Sequence, residues 1–213
     1  MRLWPVLCLA VAASPAAADI VNNGGFELGT GEDADGWNQL EIVGGGAFAD
    51  TVRSPGGFVA SPYEGDFFMY MDVVGASDFG PVSEIQQQTS VGSIIGGNTY
   101  EFSFASIGNA GPGTVAFYEV SWFDGDGSNG GGPQGSATGL QTFSLGSEWG
   151  LTTVSDLVAP AGADSMFIQI RLVTGAFDGA TGWAGIDAVT VTPAPGALAL
   201  LGLAGIASRR RRD

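Results

Sequence analysis

The chain has 213 residues, 45% of them apolar, and sets 22 acids against seven basic residues that are all Arg; it has neither Lys nor His. A formal net charge of −15 repels nucleic acid and anionic lipid. Without His or Lys, Ser-His, Cys-His and Lys-based nucleophile systems are excluded, and a zinc site lacks its usual nitrogen ligands.

The first element, residues 1–18, reads as a secretory signal peptide. Arg2 supplies the positive n-region, Leu3 to Ala13 the apolar h-region, and Ala16-Ala17-Ala18 an A-x-A cleavage site before Asp19. Cys8 lies inside this segment and follows Leu7 rather than a small residue, which argues against lipidation. The mature chain then has no Cys and no disulfide. With the C-terminal Arg cluster also removed, Arg53 and Arg171 stand against 21 acids, a net charge of −19 that suits cations or a calcium-containing medium.

Residues 19–191 read as one all-β domain. Helical periodicity is almost absent, and short alternating segments recur between Gly, Pro, Asn, Asp and Ser clusters, the pattern of a β-sandwich. Phe67 to Val73 places Phe67, Met69, Met71 and Val73 on one face and Phe68, Tyr70 and Asp72 on the other. Tyr100, Phe102 and Phe104 alternate with Glu101, Ser103 and Ala105. Val115 to Phe123 is apolar on both faces, Met166 to Val173 alternates, and Gly185 to Val191 is the closing strand. Between them, Asp124 to Gly139 is expected to be a mobile surface loop, too Gly-rich to pack. Its Asp124-x-Asp126-x-Ser128 spacing partly matches a calcium loop. Asn129 and Gly135 stand where an EF-hand requires Gly and Glu, which favours a solvated loop.

Several pieces stand in a telling order: "NGGFELG" at Asn23 to Gly29, "GW" at Gly36-Trp37, "IQQQTSVGSIIGGNTYEFSFAS" from Ile85 to Ser106, "TTVSDLVAPAGADSMFIQIRL" from Thr152 to Leu172, and "GIDAVTV" at Gly185 to Val191. Together they resemble a galactose-binding-like jelly roll of the carbohydrate-binding-module type, across nearly the whole mature chain. A jelly roll brings its first and last strands side by side, so Glu27 and Asp187 could share a hard cation through oxygen ligands. The resemblance implies a structural calcium there. Ala188 departs from the family's second acid, and the alternative is two solvated surface acids.

A sugar site needs aromatic platforms beside polar groups. The candidates are Tyr70 with Asp72 on one strand face and Phe117 with Glu119 on another, with Glu101 and Arg171 expected to join them on one sheet. Against this stands ordinary packing: Trp37, Trp149 and Tyr100 are expected in the core or between strands, and Arg171 beside a neighbouring acid.

The last element, residues 192–213, runs from Pro193-Ala194-Pro195 through an apolar stretch to Arg209, Arg210, Arg211 and Arg212. Gly196 to Ser208 reaches about 20 Å as a helix, against about 30 Å of hydrocarbon, so it is a short transmembrane helix fit for transient insertion. Its arginines stay cytoplasmic and the β domain outside. This arrangement resembles the PEP-CTERM sorting signal, with Ala194 where the family has Glu. The resemblance implies an exosortase-type processing enzyme as partner and export through an inner-membrane intermediate to the cell surface or beyond. It also implies association with extracellular polysaccharide. A plain tail anchor is the alternative.

The leading reading is a non-enzymatic exported surface or matrix protein. The alternative is a carbohydrate-binding module with a specific glycan ligand. A carboxylate-pair glycosidase is a distant third, since it needs a carboxyl raised in pKa by burial.

Overall fold

The computed structural model describes residues 19–57, 59–125 and 131–194. The signal segment, Asp126, Ser128, Pro195 and the four terminal arginines lie outside the described residues.

Thirteen strands and no helix make up the described chain. A two-residue ladder pairs β1 (Gly29–Thr30) with β2 (Asp33–Ala34). The six-stranded sheet has the order β10-β8-β12-β6-β3: Gln141–Phe143, Thr114–Asp124, Ser165–Thr174, Val82–Gln88 and Asn38–Ile42. Within it β9 (Gly132–Ser136) also pairs with β8. The five-stranded sheet has the order β11-β7-β13-β5-β4: Gly150–Val158, Thr99–Ala110, Thr181–Pro193, Phe68–Val74 and Phe48–Ser54. Apart from β1–β2, β4–β5 and β8–β9, the neighbouring strands are non-consecutive, and every pairing is antiparallel, as in a jelly-roll sandwich.

Alternation puts one set of side chains between the sheets. From β12, Met166, Ile168, Ile170 and Leu172 are fully buried, and from β5, Met69, Met71 and Val73. Phe102 and Phe104 of β7 meet Tyr118 of β8 at ring-centroid distances of 5.8 and 5.5 Å. Tyr100 and Trp37 belong to this core as expected. Trp149 does not: it sits outside, against Phe68 and Tyr63 at 5.8 and 5.9 Å, and its Nε1 donates to the Ser61 carbonyl at 2.9 Å. Phe67 also departs from the inward face. It precedes β5 and lies under the Arg53 guanidinium, whose carbon is 3.3 Å from the ring centre.

The expected loop from Asp124 to Gly139 is partly a strand. Gly132 to Ser136 pairs with Asp124 to Ser121 through the backbone, which needs no packed side chains, so glycine richness does not prevent it.

The chain ends of the domain meet at β13. Ile20 N donates to Val191 O at 3.0 Å, Val189 N donates to Gly24 O at 2.9 Å, and Val191 N donates to the Asp19 carboxylate at 3.0 Å. Position 24 has to be Gly, because a Cβ there would sit 1.9 Å from the Val189 carbonyl oxygen.

Candidate functional site

Three places on the sandwich concentrate polar chemistry. The first is the junction of the chain ends. Glu27 lies in an irregular segment ahead of β1 rather than on a first strand, just after Phe26, which is fully buried at φ 57°. Asp187 sits at a bulge in β13, where the pairing with β7 slips between Asp187 and Thr190 and Ala188 takes φ 49°. Such bulges re-aim side chains. Asp187 is fully buried, and its Oδ2 accepts from Tyr63 N and Glu64 N at 2.8 and 3.1 Å while Oδ1 accepts from Ala188 N at 2.7 Å. Glu27 Oε1 accepts from Asp66 N and Phe67 N at 2.9 and 3.0 Å. The two acids therefore hold opposite ends of one segment, residues 63–67. Arg53, itself buried, donates Nε to Phe26 O at 2.6 Å and Nη2 to Glu27 O at 2.8 Å.

Among the described residues no group of three or more His, Cys, Asp or Glu side chains forms a metal cage. The donors present are nonetheless all oxygen, which suits calcium rather than a softer metal. Gly25 faces them: a Cβ there would lie 3.7 Å from Glu64 Oε1, 3.9 Å from Asp187 Oδ1 and 3.9 Å from Glu27 Cγ. The missing side chain leaves Glu64, Asp187 and Glu27 around one small space.

The second place is the outer face of the six-stranded sheet. Two rows cross it in register. One runs Asn38, Gln86, Gln169, Glu119, and the other Leu40, Glu84, Arg171, Phe117. Glu84 is 3% exposed although it points outward, because its neighbours cover it. Arg171 Nε lies 2.9 Å from Glu84 Oε2 as an ion pair, without the alignment of a good hydrogen bond. Gln169 Nε2 donates to Glu84 Oε1 at 3.0 Å, and Gln86 Nε2 donates to the same oxygen. Ser136 donates to Glu119 at 3.1 Å. Phe117 and Leu140 border a shallow depression with Glu119, Gln169 and Arg171.

The third place is the outer face of the five-stranded sheet. Asp50, Val52, Ser54, Val59, Tyr70 and Asp72 line a cleft of about 320 Å³. Trp183 stacks on Tyr70, with centroids 6.2 Å apart and planes at 28°. Gly185, opposite Tyr70 in register, is glycine because Ile107 and Phe68 lie 2.8 and 3.0 Å from where a Cβ would stand. Burial, then the Asp72 carboxylate, pushes the Tyr70 hydroxyl up to about 12; burial also raises Asp72, with Asp50 adding to it.

The five residues singled out for sugar binding thus divide between opposite sides of the sandwich. Tyr70 and Asp72 share one outer face, and Phe117, Glu119 and Arg171 share the other. Glu101, on β7, does not join Arg171, on β12. Glu84, Gln86, Gln169, Asp50 and Trp183 escaped the sequence reading. Only "IQQQ" and "FIQIRL" carried a trace of the amide rows, in polar residues two apart.

The architecture is that of carbohydrate-binding-module β-sandwiches. TmCBM61 in complex with β-1,4-galactotriose superposes with a TM-score of 0.51 and 16% identity, covering 84% of this chain and 100% of that one. The family 11 carbohydrate-binding module from Clostridium thermocellum, in complex with a β-1,3-1,4-mixed-linked tetrasaccharide, gives 0.51 and 13%, covering 85% and 98%. The enzymatically active domain of bacteriophage CBA120 tailspike protein 4 gives 0.55 and 15%, covering 83% of this chain; the present chain spans only 21% of that one. At these identities the likeness is one of fold. No family model and no curated protein matches the chain.

Burial pushes the Asp187 carboxyl up to about 6, against three backbone N–H groups that lower it. The folded protein therefore holds this proton between pH about 4 and about 6 while the unfolded chain has released it. The stabilising contribution is full below that window and is lost as pH rises through 6. In chelator, the Asp187 carboxyl resonance should titrate with a midpoint near 6, and urea stability should decline across the same window. A midpoint near 4 would contradict the burial argument.

Proposed function

We propose that this protein is a carbohydrate-binding module, which moves the glycan-binding alternative ahead of a purely structural surface role. It binds an extended glycan across the outer face of the six-stranded sheet. The carrying observation is Glu84, buried among Arg171, Gln169 and Gln86 in polar rows that cross four strands beside Phe117. Amides both donate and accept, as sugar hydroxyls do, and the ion pair is fixed before any ligand arrives. Phe117 and Leu140 offer apolar surface to sugar C–H groups. The carbohydrate-binding modules of like fold support this reading. The proposal assigns binding and no reaction, in keeping with a chain that lacks His and Lys. Affinity electrophoresis in soluble polysaccharides should show retardation that falls about tenfold or more in Arg171→Ala and Gln169→Ala, about 1.4 kcal/mol or more each. Unchanged retardation in both variants would remove this face from the reading.

The proposal includes a structural calcium held by Glu27 and Asp187, with Glu64 beside them. The cation would offset three acids around Gly25 and lower the cost of burying Asp187. At a hundredfold excess over its dissociation constant, calcium would add about 2.7 kcal/mol. Melts in calcium and in chelator should differ, and Asp187→Ala should erase the difference. Equal melting of the unaltered protein under both conditions would refute the site.

Export completes the proposal: a leader cut before Asp19 and a tail processed by an exosortase-type enzyme. The motive is the leader's A-x-A site and the roughly 20 Å apolar run ahead of four arginines. Intact mass of the protein from its native host should begin at Asp19 and lack Arg209 to Arg212. A mass retaining the arginines would leave a plain anchor.

A further inference from the structure

The cleft on the five-stranded sheet lies on the far side of the sandwich from the amide-rich face and has its own chemistry. We propose that it is a second ligand site, selective for a cationic sugar: a hexosamine unit whose free amine is protonated.

Asp50 and Asp72 stand directly opposite one another in register on adjacent strands. Residues so placed have Cβ atoms about 5 Å apart, and like charges there destabilise a sheet. No basic side chain of the domain relieves them. Between residues 19 and 194 the sequence has only Arg53 and Arg171. Arg53 is buried, spent on the carbonyls of Phe26 and Glu27 and on the Phe67 ring. Arg171 lies on the opposite sheet against Glu84. The opposed carboxylates therefore lack a cation that the domain cannot itself supply.

The aromatic pair defines what kind of cation. Tyr70 lines the cleft, and Trp183 stacks on it while standing beside Asp72 in register. A pyranose packs its C–H face on such rings, and an ammonium gains further from their π-density. A bare metal ion would use the carboxylates and leave the rings idle. A neutral sugar would use the rings and leave the acids opposed. A hexosamine with a free amine uses both, through charge-assisted N–H···O bonds to Asp50 and Asp72. The cleft volume of about 320 Å³ falls within the range of small-ligand sites.

This site is independent of the glycan face proposed above, and its test keeps the two apart. The full chain is titrated calorimetrically with a fully de-N-acetylated chitosan hexamer and with the N-acetylated hexamer. The free-amine oligomer should bind at least tenfold more tightly. That preference should vanish in the double variant Asp50→Asn, Asp72→Asn, whose sheet is relieved of repulsion and should melt no lower than the parent. Trp183→Ala should weaken binding of the free-amine oligomer at least fivefold. Gln169→Ala, on the other face, should leave the preference intact, as should the exposed pair Glu32→Gln, Asp33→Asn. Equal affinity for the two oligomers would overturn the proposal. So would a preference lost equally in the Glu32/Asp33 pair, which would mark diffuse attraction to an acidic protein, or one lost in Gln169→Ala.

Discussion

Asp187 is the carboxylate around which the sandwich closes. It is fully buried at the bulge of the last strand, and three backbone N–H groups converge on it. Two of them belong to residues 63 and 64, so a carboxylate from the end of the domain fixes a segment from its middle. Glu27 fixes the other end of that segment, and Arg53 fixes the two carbonyls that flank Glu27, those of Phe26 and of Glu27 itself. In a domain without disulfides these charge-assisted bonds do the stapling. Each charge meets several dipoles, and for the buried Asp187 and Arg53 this offsets the cost of removing them from water.

The same fixed segment covers one sheet. Ser61 accepts from the Trp149 indole, and Tyr63 and Phe68 pack on that ring. This explains why Trp149 lies outside the core and why Phe68 is fully buried on what would otherwise be a solvent face. The five-stranded sheet is thus left with a bounded cleft, whereas the six-stranded sheet keeps a broad, flatter polar face. Two unlike surfaces back to back follow from one covered sheet end and one open one.

The regions of β5, β7 and β12 were legible in the sequence from their alternation, that of β8 from an apolar run, and that of β13 as the closing segment. β4 and β6 were not, because they send Thr51, Arg53, Ser83 and Gln87 inward, where the period-two rule expects apolar residues. Those side chains are satisfied by specific partners. Thr51 and Ser83 share a hydrogen bond at 2.6 Å, and Gln87 bonds both ways with the Asn22 backbone. β9 carried no side-chain pattern at all. Glu27 and Asp187 could be brought together from the order of the chain, since its ends meet in this fold. The division of Tyr70 and Asp72 from Phe117, Glu119 and Arg171 could not, because sheet membership depends on crossovers that local alternation does not encode.

β13 runs down the interior of its sheet, bonded to β7 from Gly182 to Pro193 and to β5 from Thr181 to Ile186. The chain continues past Ala194 from the end of this strand, not from an edge. Tension applied there loads the strand along its own axis. Rows of backbone bonds on both flanks then resist sliding together instead of opening one at a time like a zipper. An edge strand in the same place would peel. A pull at the C-terminal end of this domain therefore meets firmer resistance than it would from an edge strand.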